Sequence, residues 1–177
     1  MGKYIDYIQP TKYIVSSTSY SDEFDTPVLT PGQTFVLGYT NEEDGIFKAS
    51  KEEPIILFDD FTTSNHWVDF DFKVKSSASK ILVKKENAEV NFRYLFYCIK
   101  NIKFDKGEHG RKWISIFSKI RILIPPIEVQ NDIVNKLDIM DKLLNDISEG
   151  LPAEIEMRQK QYVYYRNKLL NFKNKNY

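Results

Sequence analysis

Two spacings in this chain have the form of an active centre. Asp59 or Asp60, followed by Asp71-Phe-Lys73, fits the acidic residue plus D/E-x-K spacing of a metal-dependent nuclease. Two carboxylates would hold Mg2+ and the lysine would orient the attacking water. The same residues have a plainer reading. Asp69, Asp71 and Lys73 alternate with Val68, Phe70 and Phe72, as in any strand with one wet face. Ser77-Ala-Ser-Lys80 has the form of a Ser/Lys nucleophile, but it is a short pattern of common residue types. Two histidines and a single cysteine, Cys98, leave no basis for a zinc cluster or an internal disulfide. No Gly-rich phosphate loop, HExxH or GxSxG occurs. The expectation is no catalytic residue and no metal.

Binding chemistry is better represented. In Gly107-Glu-His109-Gly-Arg111-Lys112-Trp113 the glycines let the backbone approach a surface closely. Arg111 and Lys112 are suited to guanine edges or phosphates, and His109 to donating or accepting. Asp60-Phe-Thr62-Thr63-Ser64-Asn-His66 is a second polar loop whose hydroxyls suit phosphate and base contacts. Tyr39 and Thr40, beside Asn41, form a third candidate contact. Net charge is zero, yet it is segregated. Asp22 to Asp60 holds ten acidic and two basic residues, whereas Lys73 to Arg121 holds thirteen basic and four acidic ones. Association responds to the local field, so the second stretch can face phosphates.

The elements that must position these loops read as a mixed β domain over residues 4–126. Short β-branched and aromatic runs fall at Ile14–Ser16, Thr34–Leu37, Pro54–Phe58, Trp67–Val74 and Ile81–Val83, with turn signals at Thr30-Pro-Gly-Gln and Asn41–Gly45. Asn91–Ile102 has helical spacing, with Phe92, Leu95, Phe96 and Ile99 on one face. Ile120–Ile124 is strand-like and leads into Pro125-Pro126, where composition changes.

Beyond the prolines, Ile133, Leu137, Met140, Leu144, Ile147 and Leu151 recur at alternating steps of four and three, a heptad seam. A second run, Ile155, Arg158, Tyr162, Tyr165, Leu169 and Phe172, follows after a stutter. Gly150-Leu-Pro152 reads either as a break between two helices or as a kink in one arm. One arm over 128–172 would be about 67 Å long and would need a partner to cover its stripe; the alternative is a helical hairpin folded back on its own domain.

Ile124-Pro-Pro-Ile-Glu-Val-Gln130, followed by Gly150-Leu-Pro-Ala-Glu-Ile-Glu-Met-Arg-Gln-Lys-Gln-Tyr-Val-Tyr-Tyr-Arg-Asn-Lys-Leu-Leu170, resembles the spacer-helix segment of type I restriction–modification specificity (S) subunits. Gln9–Val15, Thr34–Thr40, Ile56–Ser64 and Trp67–Ser77 resemble one kind of target recognition domain in that family. The resemblance implies a subunit without a catalytic centre. It reads double-stranded DNA and docks modification (M) subunits, which bind S-adenosylmethionine and methylate adenine. Restriction (R) subunits join the same complex. Full subunits of the family carry two recognition domains and two spacers. This sequence has one of each, so two copies about a twofold axis would restore the pattern.

The reading is an α+β recognition domain at 1–126, a helical arm at 127–172 and a disordered tail at 173–177. DNA contacts are expected at Gly107, His109, Arg111, Lys112, Thr62, Thr63, Ser64, His66, Tyr39 and Thr40. A homodimer seam is expected at Leu137, Leu144, Ile147, Leu151, Tyr162 and Leu169. No cofactor is expected on this chain. The single Cys98 suits a reducing cytoplasm, the start of the chain has no leader pattern, and no run is long enough to span a membrane. Two rivals stay open: the nuclease of Asp59/Asp60, Asp71 and Lys73, and a coiled-coil adaptor without a DNA role.

Overall fold

The computed structural model describes residues 1–32, 34–102 and 110–170, with the backbone alone for 143–156 and 167–170. Among the described residues, seven strands and two α-helices are laid out in chain order: β1 Ile5–Ile8, β2 Thr26–Leu29, β3 Val36–Thr40, β4 Ile55–Asp59, β5 Asn65–Val68, β6 Lys73–Val74, β7 Ser79–Lys84, α1 Phe92–Lys100 and α2 Ile127–Leu170. The class is α+β. The chain divides into two compact units, Met1–Asn131 and Asp132–Tyr177, so the first turn of α2 belongs to the β-rich unit. The tail at 173–177 lies outside the described residues.

The first unit is built on β4. Its Ile-Ile-Leu-Phe run is buried throughout because neighbours cover both faces of the sheet. The four-stranded antiparallel sheet has the order β1-β7-β4-β5. Ile55 and Leu57 join Leu29, Phe47, Val68, Phe72, Val74 and Ile81 in one core. Leu29 and Val74 come from the second sheet, of order β3-β2-β6, so this core lies between the two sheets. On the opposite face Phe58 meets Trp113 and Phe117 edge to face, with ring centroids 5.5 and 5.0 Å away. Trp67, alternating with Val68, meets Phe92 and Phe96 of α1.

Three sequence expectations change. Ile14–Ser16 forms no strand, only a single bridge from Ile14 to Val74. Trp67–Val74 is not one strand. β5 stops at Val68, and the chain crosses to the second sheet before β6. Ile120–Ile124 forms no strand: among the described residues no strand pairs with it, and Leu123 lies in solvent. β1 and β2 have no clear strand signal in the sequence. In β2 the unusual residue is Pro27, which has no N–H to donate. It is tolerated because the parallel partner β6 begins only at Val28.

α1 starts as its sequence directs. Asn91 caps it, its side chain accepting the N–H of Tyr94 at 3.1 Å, and Leu95, Phe96 and Ile99 turn inward. α2 begins directly after Pro126 and runs as one helix through Gly150-Leu-Pro. Among the described residues no helix is long and apolar enough to cross a membrane.

Candidate nucleic-acid interface

Asp60 ties the two polar loops of the β-rich unit together. Its backbone carbonyl accepts the N–H of Lys112 at 2.8 Å, and its Oδ1 accepts the N–H of Trp113 at 2.8 Å. The hairpin between β4 and β5 and the segment leading to Trp113 are thus fixed to each other at one buried residue. Oδ2 faces Lys80 Nζ at 3.7 Å, with the two side chains 1% and 0% exposed. Lys80 Nζ also donates to Gln9 Oε1 at 2.8 Å and lies over the Tyr7 ring. Burial pushes the Lys80 pKa below the ordinary lysine value, Asp60 opposes that shift, and nearby Arg111 adds to it.

The hairpin tip is closed by Asp59. Its Oδ1 accepts the N–H groups of Phe61 at 2.7 Å and Thr62 at 3.0 Å. The Thr63 N–H returns to the Asp59 carbonyl at 3.0 Å, and the Asp59 N–H to the Ser64 carbonyl at 2.8 Å. Thr63 has φ of 64°, in the left-handed region that a β-branched residue disfavours. Thr62 Oγ1 donates to Ser64 Oγ at 3.2 Å, so two of the candidate hydroxyls share one bond. His66 Nε2 donates to the Gly32 carbonyl at 3.0 Å and its ring stacks on Phe35 at 4.4 Å, which brings the 30–35 turn against the hairpin.

The expected contact residues separate into distinct groups. Arg111 is exposed next to the buried ion pair, and Thr62, Thr63 and Ser64 lie at the hairpin tip. Lys112 corrects the sequence reading. Its side chain is only 2% exposed, which removes it as a surface cation; what faces Asp60 is its backbone N–H. Thr40 is buried likewise, pairing with Thr26, and Tyr39 pairs with Pro27 at the opposite end of β3 from Phe35. His66 is half-buried between Gly32 and Phe35 and works as a brace between loops. Gly107 and His109 lie outside the described residues.

The nuclease constellation does not assemble. Asp59 closes the hairpin and Asp60 roots it. Exposed Asp71 pairs with Lys48 at 2.6 Å. Lys73 is buried, with Nζ 2.8 Å from Glu42 Oε2 and 2.5 Å from the Asp44 carbonyl. Asp71 and Lys73 follow the crossing between sheets, so the D-x-K spacing does not lie along one wet strand face. Among the described residues no group of three metal-ligating side chains occurs. Lys80 turns to Gln9 and Asp60, which accounts for the lysine of the SxxK pattern.

On the second unit, Tyr162 is largely exposed, as are Met140 and Tyr165, while Leu137 is half-buried. Leu144, Ile147, Leu151 and Leu169 have side chains outside the described residues. The exposed Asp132–Lys136 pair, at 2.7 Å, has the one-turn spacing of a helix-surface ion pair.

Residues 5–157 match the family model described as the type I restriction modification DNA specificity domain. The chain belongs to that family. It is 45% identical over 182 aligned residues to the Escherichia coli type I restriction enzyme EcoR124I/EcoR124II specificity subunit, covering 98% of this chain and 44% of that protein. The C-terminus of a putative type I specificity subunit from Mycoplasma pneumoniae is 38% identical over 105 residues, covering 58% of this chain and 71% of that one. The fold is like that of the type I restriction–modification S subunit from M. genitalium. That crystal structure gives a TM-score of 0.63 and 15% identity over 96% of this chain and 45% of that one. This specificity-family chain thus spans less than half the length of its E. coli relative.

Three residues that build these loops are hard to find in the sequence. Phe35 and Phe61 flank the polar residues but have the composition of core aromatics. Asp60 has the form of a metal ligand, whereas a carboxylate between two apolar runs can equally cap loop backbone from inside.

Proposed function

We propose that this chain is the non-catalytic, DNA-reading subunit of a type I restriction–modification complex and that it reads one half of a two-part site. The single observation that carries the reading is the family match over residues 5–157, which spans the β-rich unit and much of α2. Residues 1–126 serve as the recognition domain and 127–172 as the spacer arm. Arg111 supplies the cation for phosphate or guanine, with Thr62, Thr63 and Ser64 beside it. M subunits dock on the assembly and supply S-adenosylmethionine; R subunits join them. The work is cytoplasmic.

Two copies pair through α2, with Leu137, Leu144, Ile147, Leu151, Tyr162 and Leu169 along the seam. Exposure of Met140, Tyr162 and Tyr165 on a single chain supports this pairing. A twofold pair would carry two copies of the recognition domain on paired helical segments and so present two reading heads. DNA binding by the chain alone is weak, because its net charge is zero. The experiment is a titration of labelled random-sequence duplex with the pure chain, with M subunit, and with both. Binding that requires both, and that weakens with Arg111→Ala, supports the reading. Indifference to Arg111→Ala together with no binding in any mixture favours a coiled-coil adaptor.

A further inference from the structure

We propose that Phe61 is an apolar wedge that enters a base step of duplex DNA. The inference rests on the DNA-reading function above and names the contact at its centre.

Phe61 is 51% exposed at the tip of the β4–β5 hairpin. A lone exposed aromatic carries little information, but the tip that presents this one is locked. Asp59 holds the backbone N–H groups of Phe61 and Thr62, and the loop closes through Asp59 and Ser64. Thr63 sits in left-handed backbone where glycine would be at ease, and such strain persists only where the surroundings over-determine it. The result is a phenyl ring carried outward on a stiff support, which limits the ordering cost of inserting it.

The base of the tip supplies the second component. The Asp60 carbonyl accepts the Lys112 N–H, and Phe61 follows Asp60 while Arg111 precedes Lys112. An exposed guanidinium and an exposed phenyl therefore leave the core from the two sides of one hydrogen bond. A cation for the phosphates and an apolar side chain for the opened step are the parts that wedge insertion needs. Thr62 and Ser64, whose hydroxyls share one bond, follow Phe61 in the same tip and can serve base edges or sugar oxygens.

The test selects random-sequence duplexes bound by the chain together with its M subunit, comparing wild type, Phe61→Leu and Phe61→Ala. The expected result is one enriched motif for wild type, kept by Phe61→Leu. Phe61→Ala loses about tenfold in preference at one step and keeps the other positions. 2-Aminopurine placed at that step brightens with wild type and stays dark with Phe61→Ala. Equal motifs from wild type and Phe61→Ala overturn the wedge and leave DNA reading standing. Weakened M subunit association by Phe61→Ala, with an unchanged motif, also overturns it by assigning the ring to a protein contact. No motif from wild type overturns the DNA-reading function itself.

Discussion

Gln130 Oε1 accepts the backbone N–H of Asn91 at 2.9 Å, joining the first turn of α2 to the start of α1. The same buried amide donates to the Pro125 carbonyl at 2.7 Å, and Asn91 Nδ2 reaches Asn131 Oδ1 at 2.8 Å. The first turn of α2, which belongs to the β-rich unit, is thereby held within that unit by side-chain amides where the prolines leave few backbone donors. Gln130→Ala strands the Asn91 N–H and the Pro125 carbonyl, so the unfolding free energy falls by about 1–3 kcal/mol. Gln130→Leu fills the space without restoring a partner and is expected to fall in the same range. Chemical unfolding measures both; a leucine variant as stable as wild type contradicts this role.

Asp60 is the second internal tie, and its removal reaches further. Asp60→Ala leaves Lys80 buried without its carboxylate and frees the Trp113 N–H. Breaking one side of such a pair costs about 3–5 kcal/mol. The double variant Asp60→Asn with Lys80→Met keeps an oxygen for Trp113 and removes the buried charge, so it is expected to be more stable than Asp60→Ala. Thermal unfolding of the two variants decides the order.

Arg111 and Lys112 are neighbours with different jobs. Arg111→Ala is expected to leave the unfolding midpoint unchanged, weaken DNA binding in the assembly with M subunits, and reduce the salt slope by about one phosphate contact. Lys112→Ala is expected to lower stability, because its side chain is buried. A Lys112→Ala protein of wild-type stability that binds DNA less well would reverse this assignment.

Much of this is legible in residue order. The Ile-Ile-Leu-Phe run marks the twice-covered central strand, the spacing of Phe92, Leu95, Phe96 and Ile99 marks α1, and Pro125-Pro126 marks the onset of α2. What is hidden depends on partners distant in sequence. Lys112 looks like a surface cation until the Asp60 carbonyl is seen to draw its backbone inward. Alternation from Trp67 to Val74 looks like one strand, because the crossing between two sheets preserves the pattern while changing the neighbours. Pro27 conceals β2 because proline is costly with partners on both sides, and here it has one.

Glu42 gives the fold an acid-sensitive joint. The Lys73 ammonium, with help from the Ser16 and Ser17 N–H groups, holds this carboxyl below the ordinary glutamate value of 4.5. Folding lowers this pKa, so the stabilisation is complete above 4.5 and is lost as pH falls through the lower folded value. Urea midpoints taken from about pH 5 downward are expected to drop for wild type and to drop less for Glu42→Gln. Equal acid slopes for the two proteins would remove Glu42 from the account.

The measurement that bears most directly on the central claim is sequencing of methylated adenines in DNA from cells that make this chain together with its M subunit. The account predicts modification at a two-part motif whose halves are inverted repeats, as two identical reading heads require. Loss of that motif is expected when Tyr162 and Leu169 are changed to charged residues. Modification that is absent, or that has the same pattern when the chain is omitted, would contradict it.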